Sequence, residues 1–195
     1  IAENLMGIKR KMGVKQISKK PILISDLKLI INVINEDKSE YKKYQNRALI
    51  LIGFAGGFRR SELVSIQYED IEFVNEGVKI LVQRSKTDQT GLGMTKAIPY
   101  FQNKNYCPVT SLRNWINYTK ISEGKIFNIS DKTVALTIQK YALLAGLDKT
   151  RYAGHSLRSG FATSTAETGA DERSIMAMTG HKTNQMVRRY IQEAN

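Results

Sequence analysis

"DIEFVNEGVKILVQRSKTDQTGLGMTKAIPY", residues 70–100, is the stretch in which the apolar residues leave a helical rhythm. "DIEFV", "VKILVQ" and "AIPY" are short, partly β-branched runs, and "NEG" between the first two has turn composition, which predicts three antiparallel strands. The polar, glycine-containing "RSKTDQTGLGMTK" between the second and third reads as an extended hairpin loop. Helical signals dominate on either side. Upstream, Leu27, Ile30, Ile31 and Ile34 recur on one helical face behind Ser25, a candidate N-cap. A second helix is expected from Tyr41 to Ala55, and its later half, "ALILIGFAG", is apolar nearly all round, as in a central core helix. Gly56 and Gly57 break it and "FRRSELVSIQ" restarts a helix. Downstream, Pro108 opens a helix carrying Val109, Leu112, Trp115 and Ile116, followed by Gly124. Ser130 caps another that ends at Gly146, and "HSLRSGFATSTAETG", "DERSIMAMTG" and "TNQMVRRYIQEA" give three more. The expected fold is α+β, mainly helical, with a small three-stranded antiparallel sheet in its first half.

A chain of 195 residues with 42% apolar content can bury one proper core but not two large ones. Thirty Lys and Arg against eighteen Asp and Glu give a formal charge of +12, spread along the whole chain. That balance suits a polyanionic partner, because a positive face attracts nucleic acid at long range and gains from released counterions. Cys107 is the only cysteine, which excludes an intrachain disulfide and a cysteine-built zinc site and fits a reducing compartment. No apolar run approaches the ~20 residues needed to span a bilayer, and "IAENLMGIKRKMG" lacks a signal-peptide core. A soluble, intracellular protein is expected. Residues 1–20, rich in lysine and closed by Pro21, read as a basic linker, and residues 21–195 as one domain.

Both histidines follow glycines, in "GHSLRSG" (154–160) and "TGHKTNQMVRRY" (179–190). His155 and Arg158 are three apart on an expected helix, with Cβ atoms about 5–6 Å apart, so the two can grip one anion. An isolated pair of this kind is more often a polar surface feature. His181 follows Gly180 at the start of another expected helix, where free N–H groups and the dipole favour anions; alone, a capping or core role is the simpler reading. Tyr190 lies nine residues after His181, preceded by Arg188 and Arg189. Most helical tyrosines merely pack. A tyrosine attacks phosphorus only if its proton, with a pKa of about 10, is removed and the phosphate charge is neutralised. "GGFRRSEL" (56–63) adds Arg59 and Arg60 beside a glycine turn, which by itself reads as a solvated face. "GLGMTK" has neither P-loop nor Rossmann spacing. Two histidines and one cysteine far apart make a poor metal site, and no carboxylate cluster suits two-metal chemistry, so no cofactor and no metal are expected.

"GFRRSEL", "HSLRSGFAT", "TGHK" and a tyrosine nine residues beyond that histidine together resemble the catalytic domain of tyrosine recombinases, the phage integrase family, over roughly residues 21–195. The resemblance implies that family's fold, shared with type IB topoisomerases, and a catalytic set of Arg59, Lys86, His155, Arg158, His181 and Tyr190, supported by Glu62. Arg59 is preferred to Arg60 because it stands three before the glutamate. Lys86, in "RSKTDQ", best matches the family's hairpin lysine, with Lys96 the alternative. The resemblance further implies site-specific recombination of double-stranded DNA through a 3′-phosphotyrosyl intermediate, serving integration or excision of a mobile element or prophage.

Family members usually carry a helical DNA-binding domain ahead of this one, of which only the linker is expected here. The resemblance implies a tetramer on DNA for the full-length protein and leaves room for a monomer of this chain, since only "IQEAN" follows Tyr190. Two other functions compete. One is topoisomerase IB-like relaxation of DNA, and the other is a catalytically silent DNA-binding domain.

Overall fold

The computed structural model describes residues 19–83, 93–180 and 188. The first helix, α1 (Ile24–Asn35), is followed by α2 (Glu40–Ala55) and the short α3 (Arg60–Ser65). The sheet then forms from β1 (Ile71–Val74), β2 (Gly77–Val82) and β3 (Met94–Pro99). Four helices complete the order: α4 (Pro108–Thr119), α5 (Asp131–Leu144), α6 (Ser156–Glu167) and α7 (Glu172–Thr179).

The strands run in the order β1-β2-β3, antiparallel throughout, with Val74 opposite Gly77 across the turn that "NEG" predicts and Ile80 opposite Lys96. Gly77 has a packing reason: a Cβ there would lie 2.0 Å from the carbonyl oxygen of Ile98 on the neighbouring strand.

The core is built round α2. Ala48 to Gly53 are buried in succession, as the unbroken apolar run requires. The helix packs against α1, α4 and α6. Its contact with α6 is close, since a Cβ on Gly53 would stand 2.9 Å from Leu157 Cδ1. Trp115 of α4 is buried, and its indole N–H donates to the Ile126 carbonyl at 2.9 Å, so the largest side chain of the core leaves no orphan donor. Among the described residues no helix is long and apolar enough to cross a membrane.

Two helix starts differ from expectation. Ser25 is not the cap of α1; the helix begins at Ile24 behind Leu23 and has no side-chain cap. The reason lies in tertiary structure. Ile22 is fully buried and its N–H donates to the Ser156 carbonyl, which fixes the entry of the chain into α1. Asp26 in the first turn complements the dipole and accepts from Tyr152 Oη at 2.9 Å and Lys20 Nζ at 3.1 Å. Likewise α6 begins at Ser156, and His155 is its N-cap instead of a residue within the helix. Ser39, Ser130 and Asp171 do cap α2, α5 and α7 through their side-chain oxygens.

Candidate active site

The turn Gly56-Gly57-Phe58, between α2 and α3, is where the functional segments converge. Gly57 has φ +55°, the left-handed region that favours glycine. A Cβ there would also meet Phe161 of α6 at 2.9 Å and Thr179 of α7 at 3.3 Å, so the turn is wedged between those two helices. Its carbonyls serve as anchors. Arg158, on α6 and 4% exposed, donates from Nη1 to the Gly57 oxygen at 2.9 Å. Lys96, on β3 and 1% exposed, donates from Nζ to the Gly56 oxygen at 2.7 Å.

Arg59 follows directly as the N-cap of α3. Glu62, buried at the third helical position, accepts from the Arg59 backbone N–H at 2.9 Å and from Arg59 Nη1 at 2.5 Å. One carboxylate therefore both closes the helix start and fixes the guanidinium. Arg59 Nη2 also donates to the Gly180 carbonyl at 3.3 Å, at the end of α7. Glycine is required at 180 by its φ of +65°, and in the chain it immediately precedes His181.

His155 is exposed at the start of α6. Partial desolvation of the imidazole, then the positive charges of Arg60, Arg158 and Arg59, hold its pKa below the ordinary 6.5. At neutral pH it is thus an uncharged ring able to take up a proton. Sequence reasoning set Arg60 aside, yet its side chain lies across Gly154: a Cβ on Gly154 would fall 1.7 Å from Arg60 Cδ. The glycine before His155 is needed for that passage, and the guanidinium reaches to 3.9 Å from Asp131 on α5. Nothing in the local sequence links residues 60 and 154.

Arg59, Arg158 and Lys96 are thereby gathered round the buried Glu62 carboxylate, and His155 lies within the field of Arg59, Arg60 and Arg158. Lys86, His181 and Tyr190 lie outside the described residues, as does the linker up to residue 18. Arg188, two before Tyr190, pairs through Nε with Glu172 Oε1 at 3.0 Å, at the start of α7. A cluster of this composition binds an anion and stabilises added negative charge on it; it suits phosphoryl transfer.

An arginine-lined centre of this kind, on a mainly helical domain with one three-stranded sheet, defines the class that the motifs resemble, the tyrosine-recombinase catalytic domain. The family model described as "Phage integrase family" matches residues 24–195, and the chain belongs to that family. An integrase/recombinase XerD homolog of Selenomonas ruminantium is 44% identical over 203 residues, covering 98% of this chain and 59% of the relative. Tyrosine recombinase XerD of Staphylococcus haemolyticus is 26% identical, covering 81% of this chain and 54% of the relative. The chain thus spans just over half the length of these curated relatives. In fold it is similar to XerH recombinase in a post-cleavage complex with a palindromic difH substrate, with a TM-score of 0.75 at 19% identity, over 91% of this chain and 50% of that one. The catalytic domain of bacteriophage HP1 integrase gives a TM-score of 0.59 at 17% identity, over 91% and 89% of the two chains.

Proposed function

We propose that the protein is a site-specific DNA recombinase that cuts and rejoins duplex DNA through a 3′-phosphotyrosyl intermediate on Tyr190. The observation that carries this reading is the convergence of Arg59 and Arg158 on one glycine turn, with Glu62 holding the first and the Gly57 carbonyl the second. Held in this way, the two guanidiniums are placed before the reaction begins, so stabilising the transition state needs little reorganisation; a donor of this kind is worth about 10²–10³ in rate. His155, uncharged at neutral pH, takes the tyrosine proton as the phenol attacks phosphorus. His181 hydrogen-bonds the phosphate, and Lys86 protonates the departing 5′-oxygen, which would otherwise leave as a poor alkoxide.

Each step exchanges one phosphodiester for another, so the bond energy is kept in the phosphotyrosine and a 5′-hydroxyl from a second strand can reverse the attack. Integration or excision of a mobile element or prophage is the natural use of such an exchange, in a tetramer on DNA and in the cytoplasm. The relatives' names, integrase and XerD recombinase, support this reading. Residues 1–20 act as a basic linker, and residues 21–195 as the catalytic domain.

The test uses nicked duplexes that trap the cut strand, including the flanks of the encoding element, with wild type and Tyr190→Phe resolved on denaturing gels. A covalent adduct from wild type alone supports the proposal. DNA binding without any adduct points to a silent binding domain, and efficient relaxation of supercoils without strand exchange points to a topoisomerase-like activity.

A further inference from the structure

Lys96 occupies a position that the pattern of β3 reserves for an apolar side chain. Lys96 and Ile98 are the buried residues of the strand and point inward together, while Thr95, Ala97 and Pro99 face out. The lysine is 1% exposed, its Nζ lies 5.0 Å from the centre of the Phe58 ring, and it donates to two backbone carbonyls, those of Gly56 and Met178, the second at 2.5 Å. Burying an ammonium is costly unless it is well bonded, so the position needs an explanation beyond core filling.

The two carbonyls supply it. Gly56 is the C-cap of α2, and Met178 is in the last turn of α7. Both therefore belong to helix C-termini, where carbonyls lack intrahelical partners and the dipole presents its negative end. Lys96 is a cation set between two such ends. From the first, the chain runs through Gly57 and Phe58 into Arg59; from the second, it runs through Thr179 and Gly180 into His181. Arg59 completes the clasp by donating to the Gly180 carbonyl. Burial weighs most against the ammonium, Glu62 is the nearby negative charge that favours it, and Arg158 and Arg59 oppose it.

We propose that Lys96 is a positioning residue that sets the spacing between the arginine turn and the end of α7, and that it does not donate a proton to the leaving group. The inference rests on the recombinase reading above. It gives Lys96 a role separate from that of Lys86: one holds two segments of the site in register, while the other acts on the 5′-oxygen.

The two roles respond differently to the leaving group. Cleavage is measured in single turnover on a nicked duplex and on its analogue with sulfur in place of the bridging 5′-oxygen. A thiol has a pKa near 8.5, so the thiolate departs without a proton. Lys86→Ala should be slow on oxygen and recover on sulfur. Lys96→Met should lose about a hundredfold on both, the scale of a reacting group displaced by about 1 Å. If Lys96→Met does not fold, as judged by circular dichroism and thermal melting, Lys96→Gln takes its place, keeping two N–H donors without the charge. Recovery of either Lys96 variant on sulfur, or wild-type rates on both substrates, overturns the proposal. No cleavage of either substrate by wild type would instead overturn the recombinase reading, and this inference with it.

Discussion

Glu62→Gln isolates the buried carboxylate that holds Arg59. The glutamate is 3% exposed, and its two oxygens accept separately, from the Arg59 backbone N–H and from Nη1. Glutamine has the same size but only one acceptor oxygen. Its amide group must face either the N–H or the guanidinium, donor against donor. Losing a hydrogen bond to a charged group costs about 1.5–3 kcal/mol, and leaving a buried donor unmet about 1–3 kcal/mol. The Arg59 side chain is 25% exposed, so water recovers part of this and the lower half of the summed range applies, about 2.5–4 kcal/mol. For a chain of this size that is roughly a 5–15 °C drop in Tm. Denaturant unfolding of wild type, Glu62→Gln, Arg59→Met and the double variant should give a coupling energy of about 2 kcal/mol between the two sites. Additive effects, or a loss below about 0.5 kcal/mol in Glu62→Gln, would mean that the carboxylate does not hold Arg59.

Arg60→Ala should raise the pKa of His155, because Arg60 is the largest of the charges that depress it after desolvation; NMR titration of the two histidine rings reads this directly, and an unchanged value contradicts it. The same depression carries a linkage sign: the His155 contribution to stability rises as pH increases from the lowered folded value to the ordinary 6.5, and the acid limb of the cleavage rate follows the folded value. For Lys96, pKa about 8 against the ordinary 10.5, the contribution to stability rises between those values by on the order of 3 kcal/mol, so the difference in stability between wild type and Lys96→Met should change across that window and stay flat below it. Gly160→Ala would place a Cβ 2.1 Å from the Ile22 backbone oxygen, which cannot swing away as a side chain can. The overpacking, about 1–3 kcal/mol, outweighs the gain of up to about 1 kcal/mol in helix propensity, and faster hydrogen exchange at the Ile22 amide should accompany the loss of stability; a stabilised variant would contradict this.

The sheet was legible because a two-residue period stands out against helical surroundings, and α2 because an all-round apolar run has only the core to occupy. Helix starts were less so. Ser25 has the chemistry of a cap, but the burial of Ile22 and its bond to Ser156, more than 130 residues away, decide where α1 begins. The arginines, Glu62 and His155 were found through motifs, while their convergence on the Gly56–Phe58 turn depends on carbonyl anchors that no side-chain pattern reveals. A signal for Lys96 did exist. It shares the parity of Ile98, which is buried, so strand alternation alone turns it inward. The passage of Arg60 over Gly154 left no such trace, since the two residues meet only through the packing of α3 beside α5 and the start of α6.

In the proposed function Tyr190 is the nucleophile of a phosphoryl transfer organised by Arg59 and Arg158. The most direct measurement is peptide mapping by mass spectrometry of the trapped protein–DNA adduct after nuclease and protease digestion. A nucleotide joined through its 3′-phosphate to the peptide containing Tyr190, with adduct formation reduced at least a hundredfold in Arg59→Ala and in Arg158→Ala, is the expected result. Attachment to another residue, or full adduct yield in those variants, would contradict the account.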